Sequence, residues 1–185
     1  MLKLTPLSAL LTASLLATSA FAAAPAPASL SPLLHSINER LAIADQVALS
    51  KWDSHKAVED RPRERDVIAG AVALAPTYKL DTAQVEQFFS AQIEANKLVQ
   101  YAHLSDWTLA GKAPDEPRPD LVGQIRPKLD VLQKSLLQQL ADFTPYRTAP
   151  ECGQWLAQAN RDAKGDALHR LALVRATAEL CQPKG

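Results

Sequence analysis

Glycine is scarce in this chain, six residues of 185, and no segment sustains the every-other-residue alternation of a half-buried strand. Strand-rich folds built on tight turns are therefore excluded, and no internal repeat is visible. An excess of charge of either sign is missing too, because 20 basic residues stand against 20 acidic ones. A nucleic-acid binder normally carries a basic stripe, so that class of partner falls away. A small pocket lined with cations is untouched by this argument. There is no Gly-rich phosphate loop and no HExxH. His35, His55, His103 and His169 stand in no Cys/His or Ser/His/Asp arrangement recognisable in sequence. Neither a metal nor a cofactor is expected.

Long apolar runs are confined to the start. Met1-Leu2-Lys3 is a short positive segment, Leu7 to Ala17 is apolar but for Ser8, Thr12 and Ser14, and Ala20-Phe21-Ala22 has the small-x-small form of a cleavage site. Residues 1–22 read as a signal peptide cut after Ala22, too short for a bilayer span of roughly 20 residues. Every later apolar run is broken by a charge, so no membrane association is expected after cleavage. The expected location is periplasmic or secreted. Residues 23–30, rich in Ala and Pro, read as a flexible entry segment, and 31–185 as one domain with its own core. Cys152 and Cys181 are the only cysteines. An oxidising compartment favours joining them, for roughly 3–4 kcal/mol in the chain-entropy model.

What remains is helical almost throughout, and the fold class is all-α. A first helix is expected over about 31–55, with Leu34, Ile37, Leu41, Ala44 and Ala48 on one stripe. A second follows the N-cap Asp60, with Pro62 in its first turn, and runs to Pro76. A third starts at Asp81, carries Val85, Phe88, Phe89, Ile93 and Val99, and ends near Ser105. Residues 106–119, with Gly111 and three prolines, read as a loop. The fourth spans about 120–143, where Pro127 implies a late start or a kink. Two shorter helices follow, the last over about 166–181 with Leu168, Leu171 and Val174 inward.

Several polar residues fall at suggestive spacings. Arg40 and Lys51 are eleven positions apart, very nearly three turns, so both project from one side of the first helix, roughly 16 Å apart at the backbone. Two long side chains at that separation can converge on one small dianion. As a pair alone they would more readily form a solvated edge. Arg63 lies on the stripe of Val67, Gly70 and Leu74, where a guanidinium needs an anionic partner. Gln92, Asn96 and Gln100 stack at i, i+4 and i+8 along the third helix. They serve either as a hydrogen-bonded seam between helices or as uncharged donors in a pocket. Arg126, beside Pro127, is unremarkable alone.

Taken in order, these stations resemble the all-helical, type II chorismate mutases. The resemblance rests on the Arg40–Lys51 spacing, on Glu59-Asp60-Arg61-Pro62-Arg63-Glu64, and on an amide stripe ending at Gln100. Asn38 to Asp45, Lys51-Trp52, Ser105-Asp106-Trp107 and Ala149-Pro150-Glu151-Cys152 with Cys181 are similar to the secreted subclass in particular. The resemblance covers essentially the whole chain after the leader. It implies a single six-helix domain, a homodimer, and an active site built within each chain. It further implies that Arg40, Arg63 and Arg126 bind substrate carboxylates, that Lys51 and Gln100 hydrogen-bond the ether oxygen of chorismate, and that Glu64, with Asp60, accepts from the ring hydroxyl. Asn96 falls where members of the family often have a small hydroxyl residue. Some secreted members carry Glu where this chain has Gln100.

The implied reaction is the cofactor-free rearrangement of chorismate to prephenate in the biosynthesis of Phe and Tyr. Residue types suit it, since a pericyclic step needs positioning and charge stabilisation but no nucleophile. Two other readings compete: an isochorismate pyruvate-lyase on the same fold, and a non-catalytic periplasmic helical binding module. The latter has no reason to gather Arg40, Lys51, Arg63 and Gln100 in one cavity.

Overall fold

The computed structural model describes residues 24–182, and the expected leader lies outside the described residues. Six α-helices account for most of them: α1 (Leu30–Ser54), α2 (Arg61–Leu74), α3 (Thr82–Ala110), α4 (Arg126–Phe143), α5 (Cys152–Asp162) and α6 (Ala167–Thr177). No strand occurs among the described residues, and no helix there is long and apolar enough to cross a membrane.

Helix α3, 29 residues long and so roughly 43 Å, is the mast of the fold. Its sides pack against α1, α2 and α6. Phe88, Phe89, Val85 and Val99 on α3 meet Leu33, Ile37 and Leu41 of α1, and Leu136, Leu140 and Phe143 of α4 join the same core. The starts of the helices follow their caps. The Asp60 carboxylate accepts from the Arg63 N–H at 3.2 Å, the Asp81 carboxylate from Gln84 at 3.0 Å, and the Asp166 carboxylate from His169 at 2.8 Å.

Three boundaries differ from the sequence reading. Helix α3 continues past Ser105 to Ala110 and stops at Gly111, whose φ of 71° is the left-handed C-cap conformation. The loop is therefore shorter, running from Gly111 to Asp120. Helix α4 is preceded by a π-helical turn, Leu121–Ile125, so its regular part starts at Arg126 with Pro127 harmlessly in the first turn. Asp120 caps that turn, accepting from the N–H groups of Val122 (3.1 Å) and Gly123 (2.7 Å). A Cβ on Gly123 would sit 2.5 Å from the Asp120 carboxylate, so this cap requires glycine. Helix α6 ends at Thr177; Leu168 packs against the core as expected, but the fully buried residues are Ala172, Leu173 and Ala176 rather than Leu171 and Val174. Leu171 and Val174 are more than half exposed and Leu168 is half-buried. Small residues face α3 because the two helices lie close together there.

Cys152 and Cys181 form the expected disulfide, with a Cα–Cα distance of 5.8 Å. It joins the first turn of α5 to the segment after α6. Buried Arg147 closes the same corner by donating to the carbonyls of Leu180 (3.0 Å) and Glu179 (2.8 Å) in the segment after α6, which satisfies backbone acceptors outside the helix. The entry segment reaches this region as well, where the Trp155 indole donates to the Ala24 carbonyl at 2.7 Å. On the opposite side, the Asp45 carboxylate lies 2.8 Å from His103 and 3.2 Å from His169, which ties α1 to α3 and α6.

Candidate active site

A cavity of about 140 Å³ opens between α1, α2, α3 and the start of α4. Its walls are Val47, Val58, Val67, Ile93, Leu121 and Leu129, and all eight polar residues expected at a site line it: Arg40, Lys51, Asp60, Arg63, Glu64, Asn96, Gln100 and Arg126. Each arrives for a local reason. Arg40 and Lys51 share one face of α1. The Asp60 cap starts α2 so that Arg63 and Glu64 turn inward. The π-helical turn ends where Arg126 joins the lining.

Arg40 is the most constrained. It is buried, its Nε has no hydrogen-bond partner, and its pKa is pulled down from the usual guanidinium range to about 10, first by burial and then by the nearby Arg63 guanidinium. Among the described residues, no carboxylate lies within ion-pair distance of Arg40, Arg63 or Arg126. Buried cations without anions are costly unless a ligand completes them.

Lys51 is held by the loop joining α1 to α2. Its ammonium donates to the carbonyls of Ala57 and, at 3.2 Å, Val58, which leaves one of its three N–H groups for the cavity. Burial lowers its pKa, with Asp60 and Glu64 opposing the shift. The amide stripe divides between the two roles open to it. Gln92 is a seam residue, donating to the Ala176 carbonyl of α6 at 2.7 Å. Asn96 and Gln100 line the cavity and donate back along α3, to the carbonyls of Gln92 (3.0 Å) and Asn96 (3.2 Å). The buried Gln100 Oε1 has no partner, and its amide has a second N–H to offer.

Three polar residues of the cavity were not singled out from sequence: Lys97, Asp130 and Gln133. The signal was available. Lys97 is three positions before Gln100, and Asp130 and Gln133 follow Arg126 at four and seven positions, all helical neighbours. The lining thus holds five cations, Arg40, Lys51, Arg63, Lys97 and Arg126, against the carboxylates Asp60, Glu64 and Asp130. The balance is two positive charges.

Comparison with known proteins bears directly on this geometry. Residues 31–101 match the family model for chorismate mutase type II. A secreted chorismate mutase of Mycobacterium tuberculosis is 34% identical over 158 residues, covering 83% of this chain and 78% of that protein. One from Mycolicibacterium smegmatis is 33% identical, covering 82% and 85%. The crystal structure of chorismate mutase from Burkholderia phymatum superposes with a TM-score of 0.79 at 45% identity, covering 83% of this chain and 96% of that one. The chain belongs to the chorismate mutases. The segment matching the type II family model carries seven of the eight expected site residues, from Arg40 to Gln100, and stops before Arg126. The last cation is supplied by the second half of this chorismate mutase chain, which also contains the disulfide.

Proposed function

We propose that the cavity binds chorismate and rearranges it to prephenate, as an exported enzyme. The observation that carries this reading is the convergence of Arg40, Lys51, Arg63, Arg126 and Gln100 in one cavity whose formal charge balance is opposite and equal to that of a dicarboxylate. Arg40, Arg63 and Arg126 hold the two carboxylates, which folds the enolpyruvyl arm over the ring and brings the carbons that will bond into contact. As the C–O bond breaks and the C–C bond forms, negative charge grows on the ether oxygen. The free N–H groups of Lys51 and Gln100 stabilise it there. Glu64, with Asp60 behind it, accepts from the ring hydroxyl, and Asn96 bounds the pocket beside Gln100. Electrons move in one cycle, so no nucleophile, proton shuttle or cofactor takes part.

Export belongs to the same proposal, with residues 1–22 removed after Ala22, and agrees with the relatives named as secreted. So does assembly as a homodimer, with each cavity lined by a single chain. The lyase reading has no observation in its favour, and the binding-module reading would leave the cations dispersed. Residues 23–185 mixed with chorismate are expected to consume its absorbance and yield prephenate on chromatography. Release of pyruvate from isochorismate, with no prephenate from chorismate, would overturn the reading.

Gln100 sets the pH response. A neutral amide donates at any pH, whereas a glutamic acid donates only when protonated. The wild type is expected to lose little activity between mildly acidic and neutral pH, and Gln100→Glu to become acid-favoured. A steep acid-favoured profile in the wild type, unchanged by Gln100→Glu, would remove Gln100 from the mechanism.

A further inference from the structure

Lys97 has no assigned part in the reaction, yet it is the one cation of the cavity already engaged with a carboxylate. Its Nζ lies 3.0 Å from Oε2 of Glu64, and both side chains are largely buried, 22% exposed each. The other carboxylate oxygen, Oε1, accepts the Asp60 N–H at 3.2 Å. Glu64 is thereby gripped at both oxygens, from its own helix and from α3, and cannot swing away from the cavity it lines.

A ring hydroxyl is both donor and acceptor. It is best bound by a group that takes its hydrogen together with one that donates to its lone pair. A carboxylate alone meets only the first requirement, and in a pocket for a dianion it also repels the substrate. An ammonium 3.0 Å from that carboxylate answers both objections. It cancels the charge and offers a further N–H at the same spot.

We infer that Lys97 is a specificity-determining residue, which with Glu64 forms a two-sided clamp for the ring hydroxyl and selects the hydroxylated substrate. The inference rests on the chorismate reading above. A merely structural strap between α2 and α3 would affect all substrates alike, whereas a hydroxyl clamp would not.

The test compares kcat/KM for chorismate with that for the analogue bearing hydrogen in place of the ring hydroxyl, in wild type, Lys97→Met and Lys97→Arg. Wild type is expected to prefer chorismate. Lys97→Met is expected to lose about 10–100-fold on chorismate, the range for a hydrogen bond to a charged group, chiefly through KM. It should lose far less on the analogue, so the preference collapses, and Lys97→Arg should restore it. Equal losses on both substrates, or none on either, would overturn the clamp while leaving the mutase reading intact. Absence of prephenate from wild type would overturn both. If Lys97→Met does not fold, Lys97→Ala, which also lacks a donor, carries the same comparison with the same expected collapse.

Discussion

Replacing Lys51 by alanine is expected to lower kcat by about 10²–10³-fold, the cost of removing one donor aimed at a developing oxyanion, while the protein stays folded. Two of the ammonium's three N–H groups hold the carbonyls of Ala57 and Val58. Its removal therefore loosens a surface loop rather than the core. The third N–H acts only as the C–O bond opens, so the loss falls on kcat rather than on KM. A pH consequence accompanies it. Burial lowers the Lys51 pKa in the free enzyme, and kcat/KM reports the free enzyme. Its alkaline limb is therefore expected to begin below the range of an ordinary lysine. Turnover by the folded variant close to wild type would exclude Lys51 from the chemistry.

Arg40→Met is expected to separate binding from stability. KM for chorismate should rise by at least about 10²-fold, the cost of deleting one side of a buried charge pair. The melting temperature should nonetheless hold or rise. The sign follows from the pKa. A guanidinium lowered to about 10 in the fold is harder to keep charged there than in the unfolded chain. Because both values lie above neutrality, the penalty, roughly 3 kcal/mol by the usual conversion, is present throughout the working range. It would fade only as the pH rose from the folded value towards the unfolded one. Methionine fills similar space without charge. Thermal melts with and without substrate read both halves of the prediction, and a large fall in melting temperature for the ligand-free variant would refute it.

Most of this site was legible in sequence because it is carried by helices, where spacing fixes direction. A separation of eleven positions suffices to aim Arg40 and Lys51 the same way, and the caps at Asp60 and Asp81 set the phase of α2 and α3. Spacing could not divide the amide stripe. Gln92 and Gln100 lie on one face of one helix, and only the passage of α6 alongside α3 makes one a seam and the other a pocket wall. Lys97 was overlooked because its importance lies in Glu64, 33 positions earlier. The inward face of α6 was misread for a different reason. Hydrophobic size favoured Leu171 and Val174, but close helix packing favoured Ala172 and Ala176, and the larger residues were left outside. The end of α3 lies beyond the sequence expectation because the left-handed cap at Gly111, and not the prolines after it, sets the stop.

Arg40, Lys51, Arg63, Gln100 and Arg126 reach one cavity from α1, α2, α3 and α4 of a single chain. A site completed by a neighbouring subunit disappears once the protein is diluted below its dissociation constant. The chemistry proposed above draws its five groups from one chain and borrows none across an interface. On that proposal an exported molecule that drifts apart from its fellows carries those groups with it, and the expected outcome is a rate per molecule that holds as the protein is diluted.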